Sequence, residues 1–585
     1  MNCRSGCFRR HVRGLAVKSA KFFIVALLFA VILAVLGTTP PRPASIDTSP
    51  DAFSASRAMV DVERIARAPH PSGSAEHAAL RGYLMQRLGQ LGLTVRTQEG
   101  QFPADARAEL NRRSRGTEAG IPLTNVLGLL RGTDPSLPAV ALMAHYDSVP
   151  GSPAAADDGA GVASILETLR ALSLDRERKR DVLVILTDGE ESGLLGARMF
   201  FEHAAEARRI GGIINLETRG GGGKANLFQT SALNGDVARL WADTAPHPAG
   251  TSLATFIYSV LPNDTDLTVA LPHGYPAWNF AFIGRPGLYH SPLATAANLD
   301  RGSLQQMGEQ TLELTRALVH SRELPGRAPD IVFFDVFGLF VVHYAPWWGW
   351  VMLAIGFAGY AALAARRFEP MPFLGGVARM LGVVIVAAAV LQGLNYLSQG
   401  SGPSDYYDRL AAIPKLQVMA LLVGIDVTLL LAASGPTTRS GEAGMVLPLW
   451  LAGAVMQFLA PTAAYVLTVP LMLAGIAAWP WLRDGRAGRA VQVVVAAVVG
   501  GYALMLGYAL MQAVGAAMPM VTALPLALLC MVFVPLRPVL RGQVARIASG
   551  GFLLLALAMA LWVRWDGPAP TVPTYNQTRS LGIKG

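Results

Sequence analysis

The sequence predicts an α/β soluble domain followed by an all-α polytopic membrane domain, and three observations carry that prediction. Between residues 51 and 325, short apolar runs rich in β-branched residues alternate with stretches of helical apolar spacing. From residue 345 to 564 the chain turns into long apolar runs separated by short basic loops. Across all 585 residues, 52% are hydrophobic and only 15% charged, a balance outside the usual range of a globular protein. A chain of this length exceeds one ordinary domain, and it shows no internal repeat or solenoid period.

The amino terminus opens with a basic tail, residues 1–21, which carries Arg4, Arg9, Arg10, Arg13, Lys18 and Lys21 and no acid. Residues 22–37 form an apolar run suited to a signal-anchor span. A cleaved signal peptide ending near Val35-Leu36-Gly37 is the alternative. Residues 38–50, rich in Pro, Ser and Thr, read as a linker.

In the soluble domain, 51–325, helical spacing marks Ala55 to Ala66 and Ala75 to Leu91. Asn125 to Leu130 and Val140 to Ala144 read as strands, Gly161 to Leu172 as a helix, and Val182 to Leu186 as a strand. Leu194 to Ala207 is helical, Gly212 to Leu216 a strand, and Ser303 to Val319 a closing helix. Strands alternating with helices imply a parallel-rich sheet covered on both faces.

Residues 331–344 are apolar and aromatic but too short to span, and they read as an interfacial segment. The membrane domain, 345–564, offers eight spans, near 345–365, 375–396, 415–433, 445–460, 461–480, 490–512, 516–535 and 547–564, which makes nine with the amino-terminal one. With the amino terminus inside, the basic clusters at Arg366, Arg367 and Arg379, at Arg439, at Arg483, Arg486 and Arg489, and at Arg537, Arg541 and Arg546 all fall inside. The soluble domain and the carboxyl tail, 565–585, then lie on the non-cytoplasmic side. The tail and inner loops account for the whole net charge of +9, so the basicity is topological and no nucleic-acid partner is expected. The lipid bilayer is the expected surrounding. Asp426 is the clear ionisable residue within a span, a candidate for transport or for hydrogen-bonded packing. The three cysteines, Cys3, Cys7 and Cys530, lie outside the soluble domain, so no disulfide framework supports it.

The polar clusters of the soluble domain sit where loops leave the carboxyl ends of strands. His145-x-Asp147 follows one apolar run, and a carboxylate two residues on can orient a ligand imidazole. Asp157 and Asp158 precede a helix start, where a carboxylate can bridge two cations or cap the helix. Adjacent Glu190 and Glu191 follow the Val182 to Leu186 strand; one can bind metal while the other takes a proton from water. Glu217 closes the next strand, and His290 follows the apolar Trp278 to Ile283 segment. His, Asp and Glu together suit zinc.

The order His-x-Asp, Asp-Asp-Gly-x-Gly, Gly-Glu-Glu-x-Gly-Leu-x-Gly, Asn-Leu-Glu and Tyr-His resembles the dizinc aminopeptidases of the aminopeptidase S and aminopeptidase Y type. With the multi-span half, and with Thr218 to Thr230 and Pro262-Asn-Asp-Thr-Asp266, it looks closest to the vacuolar membrane protease and endoplasmic-reticulum metallopeptidase branch. The resemblance covers residues 55–320 closely and the membrane half in layout only. It implies a three-layer α/β/α, phosphorylase/hydrolase-like zinc-peptidase domain with two zinc ions and a peptide or protein substrate. It makes Asp157 the bridging ligand, with His145 and Glu217 on one zinc and Glu191 and His290 on the other, a pairing that could be exchanged. Glu190 would be the general base, Asp147 the residue behind His145, and Asp264 a substrate-binding residue near the peptide's amino end. Ala294 stands where the family often has an acid four residues past the last histidine.

Two other enzyme or binding readings compete with an aminopeptidase: a single-zinc glutaminyl cyclase of the same fold, and a receptor or transporter-associated domain without chemistry. The complete set of five candidate ligands favours hydrolysis. High Ala, Gly and Arg content points to a bacterial inner membrane facing the periplasm, and the resemblance points to a vacuolar or reticular membrane.

Overall fold

The structure is a computed structural model that describes residues 3–399, 406–433, 438–483, 485–538, 542–567 and 569–570. Residues 571–585 of the expected carboxyl tail lie outside the described residues. The chain divides into two compact units. One holds residues 39–344 together with the short segment 406–411; the other holds the amino-terminal helix and the remaining carboxyl-terminal helices.

The first unit is built on a seven-stranded sheet: β1 (Thr94–Gln101), β2 (Pro122–Leu130), β3 (Ala139–His145), β4 (Val182–Thr187), β5 (Ile210–Thr218), β6 (Asn226–Thr230) and β7 (Ala277–Phe282). Their order across the sheet is β1-β2-β4-β3-β5-β7-β6. The four central strands β4, β3, β5 and β7 run parallel, while β1, β2 and β6 pair antiparallel at the edges. Every residue of β3, β4 and β7 is buried, as expected of strands covered on both faces.

Side-chain alternation splits the core into two layers. Val140, Leu142 and Ala144 of β3, with Val182, Val184 and Leu186 of β4, join a cluster shared with the helices Ala55–Ile65, Gly159–Ser173 and Arg301–His320. Ala141, Met143, Leu183 and Ile185 face the other way, toward Phe200 and Phe201 of the Leu195–His203 helix and Leu267 and Ala270 of the Asp266–Ala270 helix. Helices thus cover both faces of the sheet, the three-layer α/β/α arrangement.

Two boundaries differ from the sequence-based expectation. Residues 331–344 form a hairpin of β8 (Val332–Val336) and β9 (Phe340–Tyr344) instead of an interfacial segment. Ile331 and Phe333 join the soluble unit's core, and Phe333 packs edge-on against Trp241 at 5.8 Å. An apolar aromatic run satisfies a protein core as well as a membrane surface, so composition alone misassigned it. The stretch 38–50, expected as a linker, is docked: Ala44 N donates to Gln305 Oε1 at 2.9 Å, and Ser54 Oγ donates to Ser45 O at 2.8 Å.

Among the described residues, eight helices are long and apolar enough to cross a membrane, by length and composition: Ala20–Thr38, Trp348–Ala365, Pro370–Ser398, Tyr406–Ala433, Arg439–Leu459, Gly485–Val514, Pro519–Leu536 and Gly542–Trp565. The ninth expected span, 461–480, is the 14-residue helix Tyr465–Ala478. At 1.5 Å per residue it is about 21 Å long, against the ~30 Å hydrocarbon core of a bilayer. It packs on Trp348–Ala365 through Gly356, Gly359 and Gly475, small residues that let two backbones touch. Asp426 is buried and accepts a hydrogen bond from Ser549 Oγ.

Candidate metal and catalytic site

Because β4, β3, β5 and β7 are parallel neighbours, their carboxyl ends share one edge of the sheet. His145 is the last residue of β3 and pairs in register with Thr187, the last of β4. Glu217 lies one residue before the end of β5. The loop after β3 returns Asp157 to that edge immediately before the Gly159–Ser173 helix, which Asp158 caps by accepting from Gly161 N at 3.0 Å. The loop after β7 carries His290.

These elements bring five predicted side chains into two overlapping groups. His145 Nε2 lies 3.2 Å from Asp157 Oδ1 and 3.8 Å from Glu217 Oε1. His290 Nε2 lies 3.2 Å from Asp157 Oδ2 and 3.0 Å from Glu191 Oε1. Each oxygen of Asp157 therefore faces a different histidine, and each histidine meets a different glutamate. Ligand atoms of His145, Asp157 and Glu191 all fall within 4.8 Å of one another.

Glu190 and Glu191 are presented by a tight turn. Gly189 takes φ +71°, a left-handed conformation that a side chain resists, and it swings the chain from β4 into the short 3-10 turn Glu190–Ser192. The turn aims its amides at Asp147: Glu190 N donates to Oδ1 at 3.1 Å and Glu191 N to Oδ2 at 3.3 Å. Asp147 also meets His145, whose Nδ1 is 3.0 Å from the Asp147 carbonyl and 3.5 Å from its carboxylate. One buried residue thus fixes both, the imidazole through its carbonyl and the acidic turn through its carboxylate. Beneath it, Asp188 accepts from Thr124 N at 2.8 Å and Ser72 Oγ at 2.5 Å.

The electrostatics describe a site short of positive charge. Burial, Glu217 and Glu191 push the Glu190 carboxyl well above its usual range against the pull of His145. Burial and the charge of Asp157 raise Glu217 to about 7, again against His145. Burial alone would neutralise His145, but Asp147, Asp157 and Glu217 hold its pKa well above the usual value. Glu191 Oε1 is buried without a hydrogen bond. A cluster of acids with two imidazoles, and a carboxylate oxygen lacking a donor, fits the nitrogen and oxygen ligand set of zinc.

Beside this cluster, His70 is buried and uncharged by design. Burial pushes its imidazole down to about 4, opposed by the hydrogen bond between Nδ1 and Ala68 O at 2.9 Å. The unfolded chain binds a proton near pH 6.5 and the folded one near 4, so stability is lost as pH falls through that window. Between pH 7 and pH 4, His70 is expected to account for on the order of 2–3 kcal/mol of lost stability. Urea midpoints of wild type and His70→Gln across that range test this; parallel pH profiles would contradict it.

Asp264, expected near the substrate's amino end, is exposed, while Asp266 two residues on is buried. Thr187 Oγ1 donates to Asp266, and burial raises its carboxyl to about 6. Burial first, then the charges of Glu217 and Asp264, raise the Tyr258 phenol above its usual range. Sequence reasoning missed Asp266 and Tyr258, although the second Asp of Asn-Asp-Thr-Asp was the available signal. It also missed Tyr407, whose hydroxyl lies 2.8 Å from His290 Nδ1.

Residues 125–315 match the sequence profile of Peptidase family M28. A vacuolar membrane protease of Eremothecium gossypii is 30% identical over 318 residues, 51% of this chain and 31% of that protein. Endoplasmic reticulum metallopeptidase 1 of Homo sapiens is 34% identical over 230 residues, 38% of this chain and 25% of its own. An aminopeptidase from Aneurinibacillus sp. strain AM-1 aligns structurally over 48% of this chain and 97% of its own, at 16% identity and a TM-score of 0.38. The matched part of the chain spans between a quarter and about a third of these two curated relatives' length.

Proposed function

We propose that this chain, whose residues 125–315 match the profile of Peptidase family M28 and which continues into a half with several membrane-spanning candidates, is a membrane-anchored zinc metallopeptidase acting as an aminopeptidase with two zinc ions. The observation that carries the reading is the division of Asp157, whose two oxygens face separate histidines, each with its own glutamate alongside. In this reading His145, Asp157 and Glu217 hold one ion, and His290, Asp157 and Glu191 the other. Zinc at these positions supplies Lewis acidity toward the scissile carbonyl and makes a nearby water more acidic.

The chain's own groups do the rest. Glu190, held at its amide by Asp147, takes the proton from the attacking water and delivers it to the leaving amine. Asp147 keeps His145 in one orientation, so that Nε2 faces the cluster. The free amino group of the peptide is received by the acids around Tyr258, with Asp264 at the exposed rim and Glu217 within. The excess of basic residues in the short loops supports a soluble unit on the non-cytoplasmic side, in a bacterial inner membrane facing the periplasm or in a vacuolar or reticular membrane.

A panel of amino-acid amides and amino-terminally blocked peptides, offered to the detergent-solubilised full chain with metal counted in parallel, tests the proposal. Hydrolysis of free amino-terminal residues with about two zinc ions per chain is expected. Cleavage of blocked peptides alone would make it an endopeptidase. One zinc with cyclisation of amino-terminal glutamine would make it a cyclase.

A further inference from the structure

We propose that Tyr407 is the positioning residue for His290, an inference that rests on the two-zinc reading above. Tyr407 belongs to the short segment that clusters with the soluble unit, 117 positions along the chain from the histidine it meets. Its hydroxyl lies 2.8 Å from His290 Nδ1, and its ring is tilted against the imidazole at 5.5 Å. Tyr289 stacks on the imidazole with ring centroids 3.8 Å apart. His290 itself sits at φ +49°, a left-handed conformation that costs a β-carbon residue energy and persists where its surroundings hold it.

The hydrogen bond determines which nitrogen is available. Nε2 is the atom that approaches Asp157 and Glu191, at 3.2 and 3.0 Å. For Nε2 to offer a lone pair, Nδ1 must carry the proton and donate it, and the Tyr407 oxygen is placed to accept. Tyr407 thereby does for His290 what Asp147 does for His145. Ala294, four residues beyond His290, has no side-chain acceptor to give. The segment bearing Tyr407 is itself fastened: Tyr406 OH accepts from Arg219 Nη2 at 2.5 Å, two residues beyond Glu217, and Asp408 Oδ1 accepts from Ala569 N at 2.8 Å.

The test compares the solubilised full-length wild type with Tyr407→Phe, which keeps the ring and removes the acceptor, and with Tyr275→Phe as control, a phenol whose hydroxyl donates to Ala207 O at 2.7 Å and touches neither His145 nor His290. Zinc is titrated against a chelator, and the electronic spectrum of the cobalt(II)-loaded chain is recorded. In Tyr407→Phe, one of two metal equivalents is expected to weaken by about 10- to 100-fold, with altered cobalt bands, while the other equivalent is unchanged. Tyr275→Phe keeps both affinities. If wild type binds two ions and Tyr407→Phe binds both with wild-type affinity and spectrum, Tyr407 has no positioning role. If wild type binds fewer than two, the two-zinc reading fails and takes this inference with it. A metal-free Tyr407→Phe chain that no longer unfolds cooperatively would make the residue structural and also overturn the proposal.

Discussion

Glu190→Gln is expected to keep about two zinc ions per chain and to lose about 10²- to 10⁴-fold in kcat. The substitution preserves shape, and the backbone amide that anchors the residue to Asp147 is untouched. Glu190 stands outside both histidine–carboxylate groups, so removing its charge removes no ligand. What disappears is a carboxylate able to take a proton from water and return it to the leaving amine. The loss corresponds to about 3–5 kcal/mol of transition-state stabilisation, with KM little altered. Paired kcat and metal measurements on the same preparation check it. Turnover within about fivefold of wild type would assign the base elsewhere.

Asp157→Asn has the opposite signature: metal is lost, and turnover with it. An amide offers one oxygen and points two donors at a neighbour that needs an acceptor. Asp157 now serves both His145 and His290, at 3.2 Å each, so a single substitution disturbs both positions. Zinc content is expected to fall from about two ions per chain to below one, with at least about a 10³-fold loss of activity. Elemental analysis after dialysis against a weak chelator checks the first part. A variant retaining two ions would mean that the two groups do not share this carboxylate. Together the substitutions separate chemistry from metal retention.

Much of the sheet and its edge was legible because the polar residues adjoin apolar runs whose pattern is strong. His145 ends a run of buried residues, and Glu190 and Glu191 follow another, so strand ends could be read directly. Elements with weaker contrast were invisible. β1 is a half-exposed edge strand, Thr-Val-Arg-Thr-Gln-Glu-Gly-Gln, without a clean alternation of apolar residues. The Ala104–Ser114 helix buries only Leu110. The hairpin at 332–344 was readable as apolar but not as core, since the property that drives both outcomes is the same. Between Asp264 and Asp266, only burial separates the two, and burial depends on residues distant in sequence. Tyr407 lies beyond reach for the same reason: no local pattern announces that a phenol will meet an imidazole 117 positions earlier.

The 331–344 hairpin carries a practical consequence for anyone wishing to study the soluble unit by itself. A fragment cut at residue 325 would strip away the strand that covers Trp241, leaving a bare indole face and the Ser252 hydroxyl deprived of the Phe333 carbonyl. Such a truncation invites clumping, and even one extended to Tyr344 would be missing the phenol that abuts His290. Recombinant work therefore starts best from the full chain held in detergent.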